Sequence, residues 1–489
     1  MLDKPAELLA RDREWRALAD FALNPALGAS LGLVYGRRRQ GKTFMLELLS
    51  LAAGGFMFTA SQLYGQENLR ALSEAYRAYT GTEDPVRFAT WQEAIDALLR
   101  LGERDGRPTL VVLDEFPYLL ADEPALPSLI QTALSPMSRA MRDSRTRLIL
   151  CGSAMTTMRQ LLVGTAPLRG RAVLEMNLAP LDFRGAARLW RLDDDPDAAF
   201  RVHSLVGGTP AYVGMSGGLI ADGDVDGWVH RGLLNPLSAM FREGNVLLYE
   251  QPELVDETLY FSVLNAIAGG ACRRSEIAGR LSRSDAALTH PLAVLEEVRL
   301  IERVEDALVA RRPVYRIAEP LIRFHQLVTR PREAAIAALG GDRIWPGVRD
   351  TVAAKIHGPH FEELCRQWTL VYAADASRGG FANQVRSATI SCREHQQGHE
   401  LDVVALSENA FERDRVTAIG EAKSGGGPVG VAELARLDHL RDLVPPAKVT
   451  DPPRLVLFSR SGFTPNLLAR AKTRPDLELI DIDRLYRGD

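Results

Sequence analysis

Short apolar runs recur along the first part of the chain, each followed by a stretch in which apolar residues return every three or four positions. LGLVYG (31–36), GGFMFTA (54–60), TLVVLDE (109–115), RLILCGS (147–153) and LEMNLAP (174–180) read as strands. KTFMLELLSLA and FATWQEAIDALLRLGER, which lie between them, read as amphipathic helices. Continuous apolar strands separated by helices predict a parallel sheet covered on both faces, an α/β fold class. The pattern turns helical around 190–215 and is weak over 216–252. From about 253 to 332 it predicts three helices and then two short strands, LIERVED and PVYRIAE. Residues 333–350 read as a connector. The remainder, 351–489, opens with the helix HFEELCRQWTLVY and continues with the strands ELDVVALS, VTAIGEAK, RLVLFS and LELIDI. Three domains are expected, over 1–215, 216–335 and 351–489, in a chain of 489 residues.

Net charge is −4, which excludes a uniformly basic nucleic-acid coat but leaves room for a local basic face. Cys151, Cys272, Cys365 and Cys392 are widely spaced with no CxxC pair, which argues against a zinc site or a disulfide framework. The charged N-terminus has no apolar core of a secretory signal, and no run is long enough to span a bilayer. A cytoplasmic protein without a membrane partner is expected. Only six of the 59 basic residues are lysines, so a lysine marks a position where a compact ammonium matters.

Gly36-Arg37-Arg38-Arg39-Gln40-Gly41-Lys42-Thr43 fits G-x-x-x-x-G-K-[ST] between an apolar strand and a helix. Such a loop turns successive N–H groups and a helix N-terminus toward phosphate oxygens. Lys42 would reach the β/γ-phosphates of ATP and Thr43 would ligate Mg²⁺. The strand ending in Asp114-Glu115 supplies a second element: Asp114 as an Mg²⁺ partner through water, Glu115 as the group polarising the attacking water. Ser153, at the end of a third strand, is a candidate γ-phosphate sensor. Arg169 and Arg171 could reach that phosphate in cis or across a subunit boundary of a homo-oligomer formed through this domain.

GRRRQGKT, LVVLDEF, LILCGSAMTTM, PLRGRA and GGTPAYV, in this order, resemble the archaeal-type P-loop ATPases, relatives of the AAA+ and STAND ATPases that also occur in bacteria. The resemblance covers about 10–215 and implies that Pro210 lies against the adenine. It extends through RIAEPLIRFHQLVTRPR, which resembles the segment closing the next domain of these ATPases.

The helix–helix–helix–hairpin pattern of the middle segment reads as a winged helix, with Arg311-Arg312-Pro313 at the wing tip. Residues 271–332 carry 12 Arg against 8 Asp and Glu. Arg273, Arg274, Arg280 and Arg283 crowd the second helix and the following turn, where a helix-turn-helix keeps its phosphate contacts, so DNA is the expected partner. The alternative is an internal packing module, or a protein partner.

In the last domain Asp402 starts an apolar strand, and Glu421 and Lys423 share one face of the next strand. Glu362 approaches from a helix. Carboxylates that bind Mg²⁺ or Mn²⁺ beside an ammonium suit phosphodiester hydrolysis, with Asp402 and Glu421 as ligands and Glu362 and Lys423 completing the catalytic set. The spacing resembles the PD-(D/E)xK nuclease-like domain that follows many of these ATPases. Two readings stay open: a DNA endonuclease driven or switched by an ATPase, and a regulatory ATPase whose last domain binds without cutting.

Overall fold

The structure, a computed structural model, describes residues 2–63, 66–103, 106–249, 256–309, 313–392, 396–409, 412–449 and 451–489. Arg311 and Arg312 lie outside the described residues. The chain divides into two compact units, one of Met1–Leu181 with Thr209–Ala211, the other of Asp182–Gly208 with Tyr212–Asp489.

The first unit is built on five parallel strands, β1 (Ser30–Tyr35), β2 (Phe56–Thr59), β3 (Thr109–Asp114), β4 (Thr146–Gly152) and β5 (Ala172–Asn177), in the order β2-β3-β4-β1-β5. Period-2 alternation sends Leu31, Leu33, Val111, Leu113, Leu148 and Leu150 into one core. Val34, Leu110, Val112, Ile149 and Cys151 enter the opposite one. Helix α1 (Asp12–Ala22) and helix α2 (Lys42–Ala53) pack on that second face through Trp15, Leu18, Leu46 and Leu49. All five strands expected from the sequence are present here, with ends that differ by at most three residues.

In the second unit, α3 (Glu257–Ala268), α4 (Arg274–Arg280) and α5 (Thr289–Glu297) precede an antiparallel hairpin of β6 (Ile301–Val304) and β7 (Val314–Ile317). A second sheet follows: β8 (Gln384–Cys392), β9 (Gln397–Asn409), β10 (Glu412–Lys423), β11 (Arg454–Ser459) and β12 (Leu477–Asp481), in the order β12-β11-β10-β9-β8. Strands β8 to β10 are antiparallel and β10 to β12 parallel. Helix α6 (Gly358–Val371) covers one face with Phe361, Leu364 and Trp368; α7 (Val431–Asp442) covers the other with Leu434, Leu437 and Leu440. Strand β8 has no counterpart in the sequence reading. Its buried apolar positions are Ala388, Ile390 and Cys392, too few to stand out among the serines and threonines around them, one of which, Ser387, is buried too. The stretch 333–350, read as a connector, forms short helical turns whose Ile336, Trp345 and Val348 enter the core. The four cysteines are free thiols. Among the described residues no helix is long and apolar enough to cross a membrane.

Candidate functional site

Between β1 and α2 the chain reverses through Gly36–Gly41. A Cβ on Gly36 would lie 2.4 Å from the Leu178 carbonyl oxygen, so only glycine lets the loop pass β5. Gly41 caps α2 with φ 84°, a left-handed conformation that glycine adopts without strain. Arg39 (φ 69°) and Glu115 (φ 49°) take up the same region without that freedom. Such strain gathers at ligand sites that the surrounding structure over-determines.

Lys42 is buried and donates to the carbonyls of Gly36 (2.8 Å) and Arg37 (2.9 Å). Burial lowers the affinity of its ammonium for the proton, while Glu115 and Asp114 act in the opposite direction. Thr43 donates its hydroxyl proton to Asp114 Oδ2 at 2.7 Å. Asp114 is 1% exposed, and its Oδ1 has no hydrogen-bond partner among the described residues. A buried carboxylate oxygen left unmatched beside a threonine hydroxyl fits a divalent ion, which would satisfy it. The Cys151 thiol beside this carboxylate is pushed well up by burial and then by the Asp114 charge.

Glu115 accepts from Ser153 Oγ at 3.2 Å, and Arg38 Nε donates to the same hydroxyl at 3.4 Å. The candidate water-polarising carboxylate, the candidate sensor and a loop arginine are thus joined in one chain of bonds. Thr209, next to Pro210, accepts from Gln40 Nε2 at 3.1 Å, and the Ala211 N–H donates to the Arg39 carbonyl at 3.4 Å. The turn expected at the adenine therefore sits on the loop. Arg171 goes elsewhere: it donates to the Leu134 carbonyl at 3.1 Å, and Arg169 to the Gly164 carbonyl at 2.8 Å. Sequence reading missed Arg11. This buried residue donates to the carbonyls of Ala179 (2.6 Å) and Gln40 (3.5 Å), tying the loop to the chain after β5. Nothing in its sequence surroundings separates it from the many other arginines.

In the second unit, the register of β8 on β9 slips between the pairs Arg386/Val404 and Ala388/Leu401. Asp402 and Val403 together face one residue, a β-bulge, and bulges re-aim side chains. Asp402 Oδ2 accepts the Ala422 N–H at 2.8 Å. Burial first, then the charges of Glu362 and Glu421, push its carboxyl up to about 7. Glu362 is also raised, chiefly by burial, with Arg366 and Arg316 pulling back. Glu421 pairs with Lys423 Nζ at 2.7 Å through Oε1 and with Arg436 Nη1 at 2.5 Å through Oε2. Glu362, Asp402 and Glu421 thus lie within electrostatic reach of one another, with Lys423 paired to Glu421. Among the described residues, however, no three His, Cys, Asp or Glu side chains converge closely enough to hold a metal ion. Arg436 and Arg366, the latter donating to the Asp402 carbonyl at 2.9 Å, belong to this cluster and were not visible in the sequence.

Of the middle-segment arginines, Arg273 pairs with Glu276 at 3.7 Å and Arg274 donates to Thr289 at 3.1 Å. A Cβ on Gly269 would meet the Arg280 guanidinium, so this arginine lies against the end of α3.

Two outcomes test these assignments. Arg11→Ala removes the hydrogen bonds to the Ala179 and Gln40 carbonyls, the second of them buried, and is expected to cost about 1–3 kcal/mol in urea unfolding. Asp402 binds its proton more tightly in the folded protein than in the unfolded chain, so its ionisation costs stability as pH rises from about 4 through about 7. Asp402→Asn should therefore raise the melting temperature at pH 8 and change it little at pH 4; an equal effect at both would refute the assignment.

No protein-family model matches the chain. Over 315 residues, 62% of its length, it is 24% identical to the uncharacterized protein MJECL04 of Methanocaldococcus jannaschii, and it spans 65% of that relative. It resembles the solved Walker-type ATPase Paby2304 of Pyrococcus abyssi with TM-score 0.50 and 21% identity, over 66% of this chain and 97% of that one. The Aeropyrum pernix ORC2 protein overlaps 69% of this chain and 96% of its own at 19% identity, with a TM-score of 0.44 that carries no weight. The likeness to Paby2304, which covers two thirds of this chain, is one of fold.

Proposed function

We propose that the chain binds ATP with Mg²⁺ at the 36–43 loop and hydrolyses it. The observation that carries this reading is the 2.7 Å bond between Thr43 and Asp114, with the second Asp114 oxygen unmatched. Thr43 and Asp114 would hold the ion, which when bound neutralises charge on the β- and γ-phosphates. Lys42 would leave its two carbonyls for phosphate oxygens. Glu115 would orient water, its position fixed by Ser153. Pro210 would border the base. Arg171, bonded as it is to a carbonyl within its own unit, would need to be released to act on phosphate. Assembly into a homo-oligomer through this domain remains part of the proposal, because that is where such an arginine could be used across a subunit boundary.

The helix–hairpin segment is read as a winged helix and DNA as the partner. For the last domain, the donor chemistry of Glu362, Asp402 and Glu421 is all oxygen, which suits Mg²⁺ or Mn²⁺. Occupancy would require Glu421 to exchange at least one of its cations, Lys423 or Arg436, for the ion. Metal-dependent DNA cleavage with Lys423 as the ammonium is therefore one reading. The second, binding without cleavage, is favoured by the absence, among the described residues, of three converging ligands.

Lys42→Ala should abolish detectable ATP binding in calorimetry. Glu115→Gln should keep binding but lose about 10²-fold or more in turnover, the usual share of a general base; unchanged turnover would remove Glu115 from the mechanism. With supercoiled plasmid, Mn²⁺ and ATP, the wild-type chain should nick DNA and Asp402→Ala should not, with ATP turnover preserved. Uncut DNA in the wild-type reaction decides for the non-cleaving reading.

A further inference from the structure

The β6–β7 hairpin is built into the C-terminal sheet. The Ala307 N–H donates to the Ser387 carbonyl at 3.0 Å, and the Thr389 N–H donates to the Asp306 carboxylate at 2.9 Å. Both bonds fall on β8, the edge strand, and so occupy groups an edge would otherwise expose. Lys448 donates to the Ala307 carbonyl at 3.1 Å, and Ala307, 4% exposed, belongs to the same apolar core as Leu401 and Leu406. A hairpin fastened in this way is a fixed wall rather than a free wing.

Behind it lies a cavity of about 310 Å³, lined by Tyr315, Arg316, Arg323, Lys355, Glu362 and Glu400 among others. Arg316 stands on β7 directly opposite Glu302 of β6 and donates one N–H to Ser387 Oγ at 2.9 Å. It is close enough to Glu362 to pull that carboxyl down. Glu362 and Glu363 each face a cation already, Arg366 at 3.9 Å and Arg323 at 3.8 Å. Arg323 is 6% exposed, and its Nη1 has no hydrogen-bond partner among the described residues. Lys355, one of only six lysines, is exposed and forms no ion pair among the described residues. It sits in a π-helical turn, Ala353–His357, that runs into α6. A second π turn, His325–Thr329, follows the helix bearing Arg323. Turns of this kind are costly to keep and recur at functional sites.

We propose that this cleft receives the phosphodiester backbone of DNA, with Arg316 and Lys355 as phosphate contacts, so that the hairpin lines the approach to Glu362. Arg316 offers a planar fork and Lys355 a mobile point charge, the two complementary ways of meeting a phosphate. Residues of β7 and of α6, Glu362 among them, line the same cavity, so a strand held there would lie beside that carboxylate. The proposal rests on the reading that this carboxylate site faces DNA.

The test is fluorescence anisotropy of the full chain with a labelled duplex over a salt series. Arg316→Ala and Lys355→Ala should each weaken binding and flatten the slope of log affinity against log salt by about 0.9. Lys355→Arg should restore the slope, and Arg77→Ala, an exposed residue of the first unit, should leave it unchanged. Lys355 is exposed, so its variants keep the test valid if Arg316→Ala loosens the hairpin. Unchanged slopes in both alanine variants, or no DNA binding by the wild-type chain, overturn the proposal. Binding that depends on both residues without any cleavage overturns the nuclease reading alone. Cleavage with unchanged slopes overturns this proposal alone.

Discussion

A sheet buried on both faces has no place for a polar side chain except at the ends of its strands. That constraint organises the first unit. The apolar alternation of β1, β3 and β4 fills two cores, and the polar groups are expelled to where these strands stop: the loop after Tyr35, Asp114 and Glu115 after Leu113, Ser153 after Gly152. Because β4 lies between β1 and β3, its terminal serine falls between loop and carboxylates, and the bonds from Arg38 to Ser153 to Glu115 follow from the strand order. Chemistry converges there because packing excludes it elsewhere.

The second unit obeys the constraint less strictly. Asp402 and Glu421 are buried within strands, and the protein meets the cost with a bulge, a backbone N–H and three cations from different elements. The carboxylates repel one another and are held together by arginines and a lysine. Such a balance is stable only while every partner stays in place.

This difference explains what could be read from the chain. The loop, Asp114-Glu115 and the strands of the first unit are local in sequence, so pattern and motif sufficed. The pairing of Glu421 with Lys423 was legible for the same reason, being set by period-2 alternation along one strand. Arg11, Arg366 and Arg436 were not, since each is one arginine among many until tertiary structure brings it to a carbonyl or carboxylate. Strand β8 escaped because its buried apolar residues are few and stand among serines and threonines. The bulge at Asp402 escaped because register is a property of two strands rather than one. Arg171 was legible as a cation near the right motif, but its partner, the Leu134 carbonyl, could come only from the fold.

The position of Lys42 has a consequence for selectivity. Its ammonium is engaged by two backbone carbonyls of the loop itself, in surroundings that disfavour charge. Any incoming anion must outbid those carbonyls for the same protons. A single weak acceptor, such as a halide or a lone carboxylate, offers less than it displaces, whereas a polyphosphate presents several charged oxygens at once. If the loop takes a nucleotide as proposed, these carbonyls would act as an internal competitor that sets a threshold, discriminating by the number of charged acceptors a ligand brings and not by its net charge alone.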